Sequence, residues 1–254
     1  MRIGFGEQNA WAVDDDRVSL VRPVVPPRPY LIEAVPRDIV IDLERSALVV
    51  VDMQNDFLHD DGWFAEKGVT PGPLREPIPV INKAAKYLRG LGMRIVWLNW
   101  GNRPDRLNIP PGLAFAGKRE PTERGYGEPG ENARGNSLER GSWGASMFAA
   151  MEVAPDDLTV DKIRFGGFTG SELDSVLRNI GIHTLILAGI NTDRCVFATL
   201  MDATFHGYDA ILLEDGVATP SPEACTQAVH FLVDKLFGFR IRSDDLLAGH
   251  VLSK

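Results

Sequence analysis

Short apolar runs alternate with amphipathic stretches along most of this chain. The runs have the pattern of strands, and they are Ser46–Asp52, Arg94–Asn99, Leu158–Lys162, Thr184–Ile190 and Ala210–Leu213. The first two have the pattern of strands buried in the sheet. Helical spacing is seen at Glu76–Leu91, Ser171–Ile180, Cys195–His206 and Pro222–Leu236. Strands separated by helices need crossover connections, which favour parallel pairing with helices on both faces. The pattern therefore predicts an α/β fold, Rossmann-like, with three α/β/α layers and a mainly parallel central sheet.

Two regions lack this alternation. Residues 1–40 include five prolines between Val21 and Arg37, which block a helix and discourage a central strand. We therefore expect an extended, proline-rich N-terminal arm at 1–40 that lies on the body or on a neighbouring subunit, and a single domain at 41–254. Residues 100–155 are rich in Gly, Pro, Arg and Asn, which predicts long loops with one short helix.

Composition narrows the class of partner to a small molecule. The 254 residues include 27 Lys+Arg and 35 Asp+Glu, a net charge of −8, and a nucleic-acid binder needs a basic surface. No window reaches the roughly 18 consecutive apolar residues of a membrane span, and the N-terminus lacks the pattern of a signal peptide. Two cysteines make no disulfide framework. A reducing cytoplasm is the simplest compartment for them.

Polar residues stand where several predicted strands end. Asp52, Asn99 and Lys162 end three of the runs, and the turn 191–195 after a fourth run leads to Cys195. Ligands of parallel sheets bind beyond the carboxyl ends of the strands. We therefore expect an acid, an amide, a base and a thiol at one edge of the sheet.

Cys195 opens a predicted helix, whereas Cys225 lies in the middle of one. A helix start offers free N–H groups and a positive dipole end, which favour the thiolate and can hold a tetrahedral oxyanion. The alternative for Cys195 is a small buried apolar residue, which is the interpretation we prefer for Cys225.

Asp52 and Lys162 each have a plain alternative, a turn former for the acid and a solvated lysine at a strand end. Together with Cys195 they suggest chemistry. A lysine can keep the carboxylate ionised, and the carboxylate can take the thiol proton and later give it to a departing amine. This is a means of breaking a C–N bond through an acyl-enzyme.

Three segments in this order resemble the isochorismatase-like cysteine hydrolases, and they are VVVDMQNDF at 49–57, Asp161-Lys162, and AGINTDRC at 188–195. The resemblance runs from about Asp42 to Leu247 and is greatest to the biuret, triuret and ureidoacrylate hydrolases. It implies a catalytic triad of Asp52, Lys162 and Cys195. Members that hydrolyse a vinyl ether lack the cysteine, so Cys195 argues for amide chemistry.

The resemblance implies three further features. The Ile190–Asn191 peptide would be cis, although such bonds cannot be deduced from sequence. The backbone N–H groups of Asn191 and Cys195 would form the oxyanion hole. The protein would be a homo-oligomer, since dimers and tetramers are typical of the family.

No metal or cofactor is predicted. Nicotinamidases of the superfamily have metal-binding histidines after the second strand, where this chain has WLNWGNRPD at 97–105. The five histidines lie far apart in the sequence and lack the spacing of metal ligands, and they are His59, His183, His206, His230 and His250.

Substrate contacts are predicted from nearby motifs. Arg103, in a loop similar to those of the ureide hydrolases, could hold a urea carbonyl, or it could form a salt bridge that anchors the loop. Gln54 could bind polar substrate groups or be structural. About half of five aromatic residues are expected to wall the pocket rather than fill the core, and the five are Phe57, Trp63, Trp100, Phe165 and Phe168. Residues 141–146 are interpreted as an N-cap turn.

These observations predict an amidohydrolase that cleaves a C–N bond of a small linear ureide, of the triuret or biuret type, and releases ammonia. The alternative is a ureidoacrylate or N-carbamoyl-compound amidohydrolase, because residues 166–178 resemble that branch. A second alternative is a non-catalytic binding protein on the same scaffold.

Overall fold

Six parallel strands form the central sheet of the protein. The computed structural model describes residues 1–4, 8–118, 120–130 and 134–252. In chain order the strands are β1 Arg2–Ile3, β2 Trp11–Val13, β3 Val18–Ser19, β4 Pro29–Ile32, β5 Ile39–Asp42, β6 Ser46–Val51, β7 Arg94–Trp100, β8 Leu158–Lys162, β9 Thr184–Ile190, β10 Asp209–Ala218, β11 Phe239–Ile241 and β12 His250–Val251.

Helices cover both faces of this sheet, in three α/β/α layers. The α-helices are α1 Asn55–Leu58, α2 Trp63–Glu66, α3 Pro71–Leu74, α4 Ile78–Gly90, α5 Pro111–Ala116, α6 Leu173–Asn179, α7 Phe197–Phe205, α8 Glu223–Leu232 and α9 Ser243–Ala248. A 3₁₀ turn spans Leu43–Arg45, and π-helical turns span Thr192–Val196 and Val233–Phe237. The predicted fold class is confirmed.

The sheet order is β11-β10-β9-β6-β7-β8. All residues of β6 and β9, the two middle strands, are buried, as their continuous apolar sequence predicts. Helix α4 buries Ile81, Ala85 and Leu88 and packs against β6, β7 and α9. The four strands that end in candidate site residues are therefore neighbours in the sheet.

The N-terminal region is more regular than an extended arm. Strands β1–β3 form a small antiparallel sheet, and β4 pairs with both β5 and β12 in another. The predicted irregularity is wrong for residues 29–32, because Pro29 is the first residue of β4, a position that tolerates a missing N–H. Tyr30 and Ile32 are buried, and the Tyr30 hydroxyl donates to the Leu246 carbonyl at 2.7 Å. This part of the chain therefore packs against the body.

The long loop region crosses the carboxyl edge of the sheet. In the described part of residues 101–157, the regular structure is helix α5 and isolated bridges such as Asn102 with Glu139. Strand β11 and helix α9 were not predicted, because three and six residues give too short a pattern. Within the described ranges, no helix has the length and apolarity needed to cross a bilayer.

Candidate active site

Lys162 and Asp52 form a buried ion pair at the carboxyl edge of the sheet. Lys162 is the last residue of β8, and Asp52 directly follows β6. The Lys162 Nζ lies 2.8 Å from Asp52 Oδ2, and the side chains are 0% and 1% exposed. The sequence therefore gave the right partners for this pair, and neither is a solvated strand-end residue.

Cys195 completes the cluster from β9. It lies in the π-helical turn Thr192–Val196 that leads into α7, and its thiol is near enough for the charges of both Asp52 and Lys162 to act on it. Thr199 Oγ1 donates to the Cys195 carbonyl at 2.6 Å, which fixes the turn. The thiol is buried, and it lines a cavity described below.

Burial controls the protonation of both acids in the cluster. Burial raises the pKa of Asp52, and the positive charge of Lys162 opposes this rise most strongly. Burial also raises the pKa of the Cys195 thiol, which Lys162 opposes and the negative charge of Asp52 reinforces. Burial is therefore the largest influence on the thiol, and it opposes the thiolate that a helix start is expected to favour. The resting thiol is neutral and has a base beside it.

Trp100, rather than Asn99, joins the cluster from β7. Trp100 is in register with Lys162 across the β7–β8 pair, whereas Asn99 is in register with Asp161. Since side chains alternate along a strand, Asn99 points to the other face. The Lys162 Nζ lies 4.0 Å from the centroid of the Trp100 ring. Lys162 Nζ also donates a hydrogen bond to the Arg164 carbonyl at 3.0 Å. Together with the cation–π contact, this bond offsets part of the free-energy cost of burying the ammonium charge.

The backbone around the cluster has two special features. The Ile190–Asn191 peptide is cis, as the family resemblance implies. Asp52 adopts a φ of 56°, in the left-handed region that non-glycine residues seldom occupy. Its N–H donates to the Leu98 carbonyl at 2.9 Å, which holds the carboxylate at the end of β6.

The cluster opens onto a cavity of about 300 Å³, at the small end of ligand sites, which span about 300–1,000 Å³. Its lining residues are Phe57, Trp63, Phe64, Lys67, Val69, Ala116, Gly117, Glu123, Tyr126, Phe165, Asn191, Arg194, Cys195 and Pro220. Of the residues predicted from sequence to bind substrate, Phe57 and Phe165 line this cavity. So do Asn191 and Cys195, the predicted oxyanion-hole residues.

Gln54 and Phe168 do not line the cavity. Gln54 is fully buried, donates to the carbonyls of Trp100 and Ala145 at 2.8 and 2.7 Å, and accepts from the Trp100 N–H at 2.8 Å. Phe168 stacks on His206 and packs against Tyr208. Both side chains are used by the fold, so the prediction of substrate contacts is corrected for these two residues.

Arg103 is also outside the cavity. Its guanidinium lies 2.6 Å from Asp105, and the two side chains are 58% and 41% exposed. Arg103 therefore has the role given as its alternative in the sequence analysis, a salt bridge that anchors the loop. Ser142 Oγ accepts from the Ala145 N–H at 3.2 Å, which fits the interpretation of residues 141–146 as a capping turn.

Several cavity residues were missed from the sequence. Tyr126 stacks on Trp100 with ring centroids 4.9 Å apart. Burial raises its pKa, and so do the charges of Cys195 and Asp52. Lys67 and Glu123 form an ion pair in the wall at 2.6 Å. A sequence signal existed for Arg194, because it directly precedes Cys195. Tyr126, Lys67 and Glu123 come from segments without a periodic pattern, so no sequence signal points to them.

The described residues contain no group of three or more His, Cys, Asp or Glu side chains placed to hold a metal ion. His59 lies 3.8 Å from Asp61 and packs edge-on against Trp143.

The fold is a three-layer α/β/α arrangement that gathers a thiol, a carboxylate and an ammonium group at the carboxyl edge of its sheet. A family profile described as the Isochorismatase domain matches residues 46–245. The chain belongs to the isochorismatase family, a family of hydrolases.

Solved structures agree with this assignment. A cysteine hydrolase from Pseudomonas syringae pv. phaseolicola is 22% identical with a TM-score of 0.68, covering 82% of this chain and 93% of that one. N-carbamoylsarcosine amidase from Thermoplasma acidophilum is 26% identical with a TM-score of 0.61, covering 79% and 97%. Pyrazinamidase of Pyrococcus horikoshii, in complex with zinc, is 23% identical with a TM-score of 0.59, covering 78% and 99%.

Proposed function

We propose that the protein is a cysteine-dependent amidohydrolase that cleaves a C–N bond of a small linear ureide. The observation that carries this proposal is the contact of Cys195, Asp52 and Lys162 at the wall of a closed-in cavity. A thiol, a base beside it and a cation that orients the base are the parts that nucleophilic catalysis needs. A binding protein without catalysis would have no need of a buried ion pair beside a thiol.

In the first half-reaction, Cys195 Sγ attacks the substrate carbonyl carbon and its proton passes to Asp52. The N–H groups of Asn191 and Cys195 stabilise the oxyanion. The C–N bond then breaks, and Asp52 returns the proton to the departing nitrogen, so that ammonia or an amine leaves. An acyl group remains on the sulfur as a thioester.

Water completes the reaction. Asp52 takes a proton from the water as its oxygen attacks the thioester carbon. When the C–S bond breaks, that proton returns to Sγ, and the free acid leaves. Lys162 keeps Asp52 ionised between these transfers and holds it by the 2.8 Å contact. The raised pKa of Asp52 makes it a better proton acceptor than an exposed carboxylate.

The cavity supports a ureide in particular. The buried Oδ1 of Asn191 accepts no hydrogen bond from the described residues, and Asn191 lines the cavity beside Cys195. Such an acceptor matches the N–H groups of a urea. A triuret or biuret substrate would lack the contact that the sequence predicts from Arg103, because Arg103 pairs with Asp105 instead. An N-carbamoyl compound or ureidoacrylate has its own support, since the N-carbamoylsarcosine amidase is similar in fold and 26% identical.

The test is ammonia release from a panel of pure compounds, which are biuret, triuret, ureidoacrylate, N-carbamoyl amino acids and nicotinamide. We expect turnover of at least one ureide and little or none of nicotinamide. The Cys195→Ala protein is the control for each compound. Ammonia release that persists in Cys195→Ala, or that is confined to nicotinamide, would contradict the proposal.

We also propose that the protein works as a homo-oligomer, a dimer or tetramer, in a reducing compartment such as the cytoplasm. Exposed Phe205, Phe231 and Leu236 side chains support self-association. Both cysteines are free thiols. Light scattering that gives the mass of a monomer would contradict the first part.

A further inference from the structure

The cavity wall contains three charged side chains besides the catalytic cluster, namely Lys67, Glu123 and Arg194. Lys67 Nζ lies 2.6 Å from Glu123 Oε2 and donates to the Gly117 carbonyl at 2.8 Å. These two charges therefore compensate each other within the wall. Arg194 is the cation whose charge remains to be accounted for.

The Arg194 guanidinium is hydrogen-bonded to the protein through one of its nitrogens. Its Nη2 donates to Ser221 Oγ at 3.0 Å, and its Nε lies 4.0 Å from Asp193 Oδ2, the limit of an ion pair. Asp193 also accepts from Thr219 Oγ1 at 2.5 Å. A guanidinium has five N–H donors, and no described residue accepts from Arg194 Nη1. The group is therefore fixed in place with donors left for a ligand.

Arg194 shares the cavity with the reacting sulfur. It directly precedes Cys195 in the chain and lines the same cavity. The positive charge of Arg194 opposes the rise in the pKa of Tyr126 that Cys195 and Asp52 promote. The charges of Arg194, Cys195 and Asp52 therefore all act on the Tyr126 hydroxyl. A small molecule in this cavity can touch Arg194 while its carbonyl carbon is at Cys195.

We propose that Arg194 binds a carboxylate of the substrate, so that the preferred substrates are small ureido acids, with a urea group joined to a carboxylic acid, rather than neutral ureides. This inference rests on the proposed amidohydrolase function. A guanidinium matches a carboxylate through two parallel hydrogen bonds, and such bonds are about twice as strong as neutral ones. Phe64, Val69 and Pro220 line the same cavity, and the Arg194 side chain is 39% exposed, so a ligand in the cavity can reach it.

The cavity also limits the acid's size. Its volume is about 300 Å³, and both Arg194 and Cys195 line it. The urea carbonyl and the carboxylate must therefore be separated by few atoms. N-carbamoylglycine and its neutral amide, N-carbamoylglycinamide, form a matched pair of probes of nearly equal size that differ in charge.

Binding tests the inference apart from turnover. Calorimetry on the Cys195→Ala protein should show tighter binding of N-carbamoylglycine than of its amide. Adding Arg194→Gln should remove the preference and weaken binding of the acid roughly tenfold or more, the scale of a lost charged hydrogen bond. The control is Arg178→Gln, an exposed residue of α6 that pairs with Asp174, which should leave both affinities unchanged. Equal binding of the two probes, binding of neither, or a preference that survives Arg194→Gln overturns the inference.

Turnover separates this inference from the function on which it rests. With Cys195 present, we expect a higher kcat/KM for the acid, and Arg194→Gln should act mainly through KM. Ammonia release from the amide or biuret at equal or greater kcat/KM overturns the role of Arg194 and leaves the amidohydrolase standing. An acid preference in binding without ammonia release from any ureide supports the anion site and contradicts the proposed function.

Discussion

Lys162 Nζ and Asp52 Oδ2 lie 2.8 Å apart, with the two side chains almost completely buried. Taking two charges out of water costs several kcal/mol for each, and their attraction offsets this only in good geometry. A buried pair is thus weak evidence for stability. Its position beside Cys195 gives it a chemical use, to present an ionised carboxylate to a neutral thiol.

Removing one charge of this pair should destabilise the fold. Lys162→Met leaves the Asp52 carboxylate buried without its cation, and we expect a loss of about 3–5 kcal/mol in the free energy of unfolding. Denaturant titration of the wild-type and variant proteins measures it. Activity should be lost as well, since Asp52 then becomes a protonated acid at rest.

The control is the double variant Asp52→Asn/Lys162→Met, which removes both charges. It should recover much of the lost stability but none of the activity. Equal destabilisation in the single and double variants would show that packing, rather than an uncompensated charge, causes the loss.

Removing the proposed nucleophile should abolish activity and leave the fold intact. Cys195→Ala removes the sulfur, and we expect ammonia release to fall to background with an unchanged circular dichroism spectrum and melting transition. Cys225→Ala is the matched control, because Cys225 is half-buried in α8 and outside the cavity. It should retain wild-type turnover. Appreciable turnover by Cys195→Ala would be incompatible with an acyl-enzyme on that residue.

The thiol's pH dependence follows from its burial. Because burial raises the pKa of Cys195 above the ordinary 9.0, iodoacetamide should alkylate it slowly near neutrality and faster as pH rises past that value. The alkylation rate is measured on the Cys225→Ala protein, in which Cys195 is the one remaining thiol. The unfolded chain loses its thiol proton first, so this residue's contribution to stability should decline above pH 9.0 until the folded pKa is reached. A labelling rate that levels off below 9.0 would contradict the raised pKa.

The parts of this molecule that could be predicted are those with a strong local pattern. Strands β8 and β9 have the predicted bounds. For β9 the reason is its continuous apolar run, which is buried on both faces. The sheet order β9-β6-β7-β8 then brings Lys162, Asp52 and the turn to Cys195 to one edge of the sheet. Residue chemistry at strand ends was therefore enough to find the cluster.

Side-chain direction and loop placement could not be predicted in the same way. Asn99 and Trp100 are adjacent in sequence, yet the pleat sends only Trp100 toward Lys162. Tyr126 comes from a loop with no periodicity, so no local rule places its ring on Trp100. The charge balance of a cavity wall is a tertiary property, which is why Arg194 was missed.

Arg103 provides a direct test of the corrected site. It is exposed and pairs with Asp105, so Arg103→Gln should keep kcat/KM within about twofold of wild type and change stability by less than about 1 kcal/mol, as for a surface ion pair. Ammonia-release kinetics on the preferred ureide measure the first quantity. A large rise in KM would mean that the loop closes over the substrate and that the sequence-based role of Arg103 is right.

Gly189 connects the packing of the sheet to the geometry of the cluster. It adopts a φ of 109°, and a Cβ at this position would lie 2.2 Å from the Val51 carbonyl oxygen. Val51 directly precedes Asp52, and Gly189 lies two residues before Asn191. Gly189→Ala must therefore separate β6 from β9 where each leads into the site. We expect a loss of stability above about 1 kcal/mol and a fall in kcat of roughly a hundredfold, as for a misplacement near 1 Å.

The matched control for this substitution is Gly90→Ala. Gly90 ends helix α4, and a Cβ there meets no atom within 4 Å. Alanine should be neutral or stabilise the helix by up to about 1 kcal/mol, with kcat unchanged. Thermal unfolding and ammonia-release kinetics on both variants separate a general effect of adding a methyl group from the local one. Wild-type kcat in Gly189→Ala would show that the contact between β6 and β9 does not set the distance from Asp52 to Cys195.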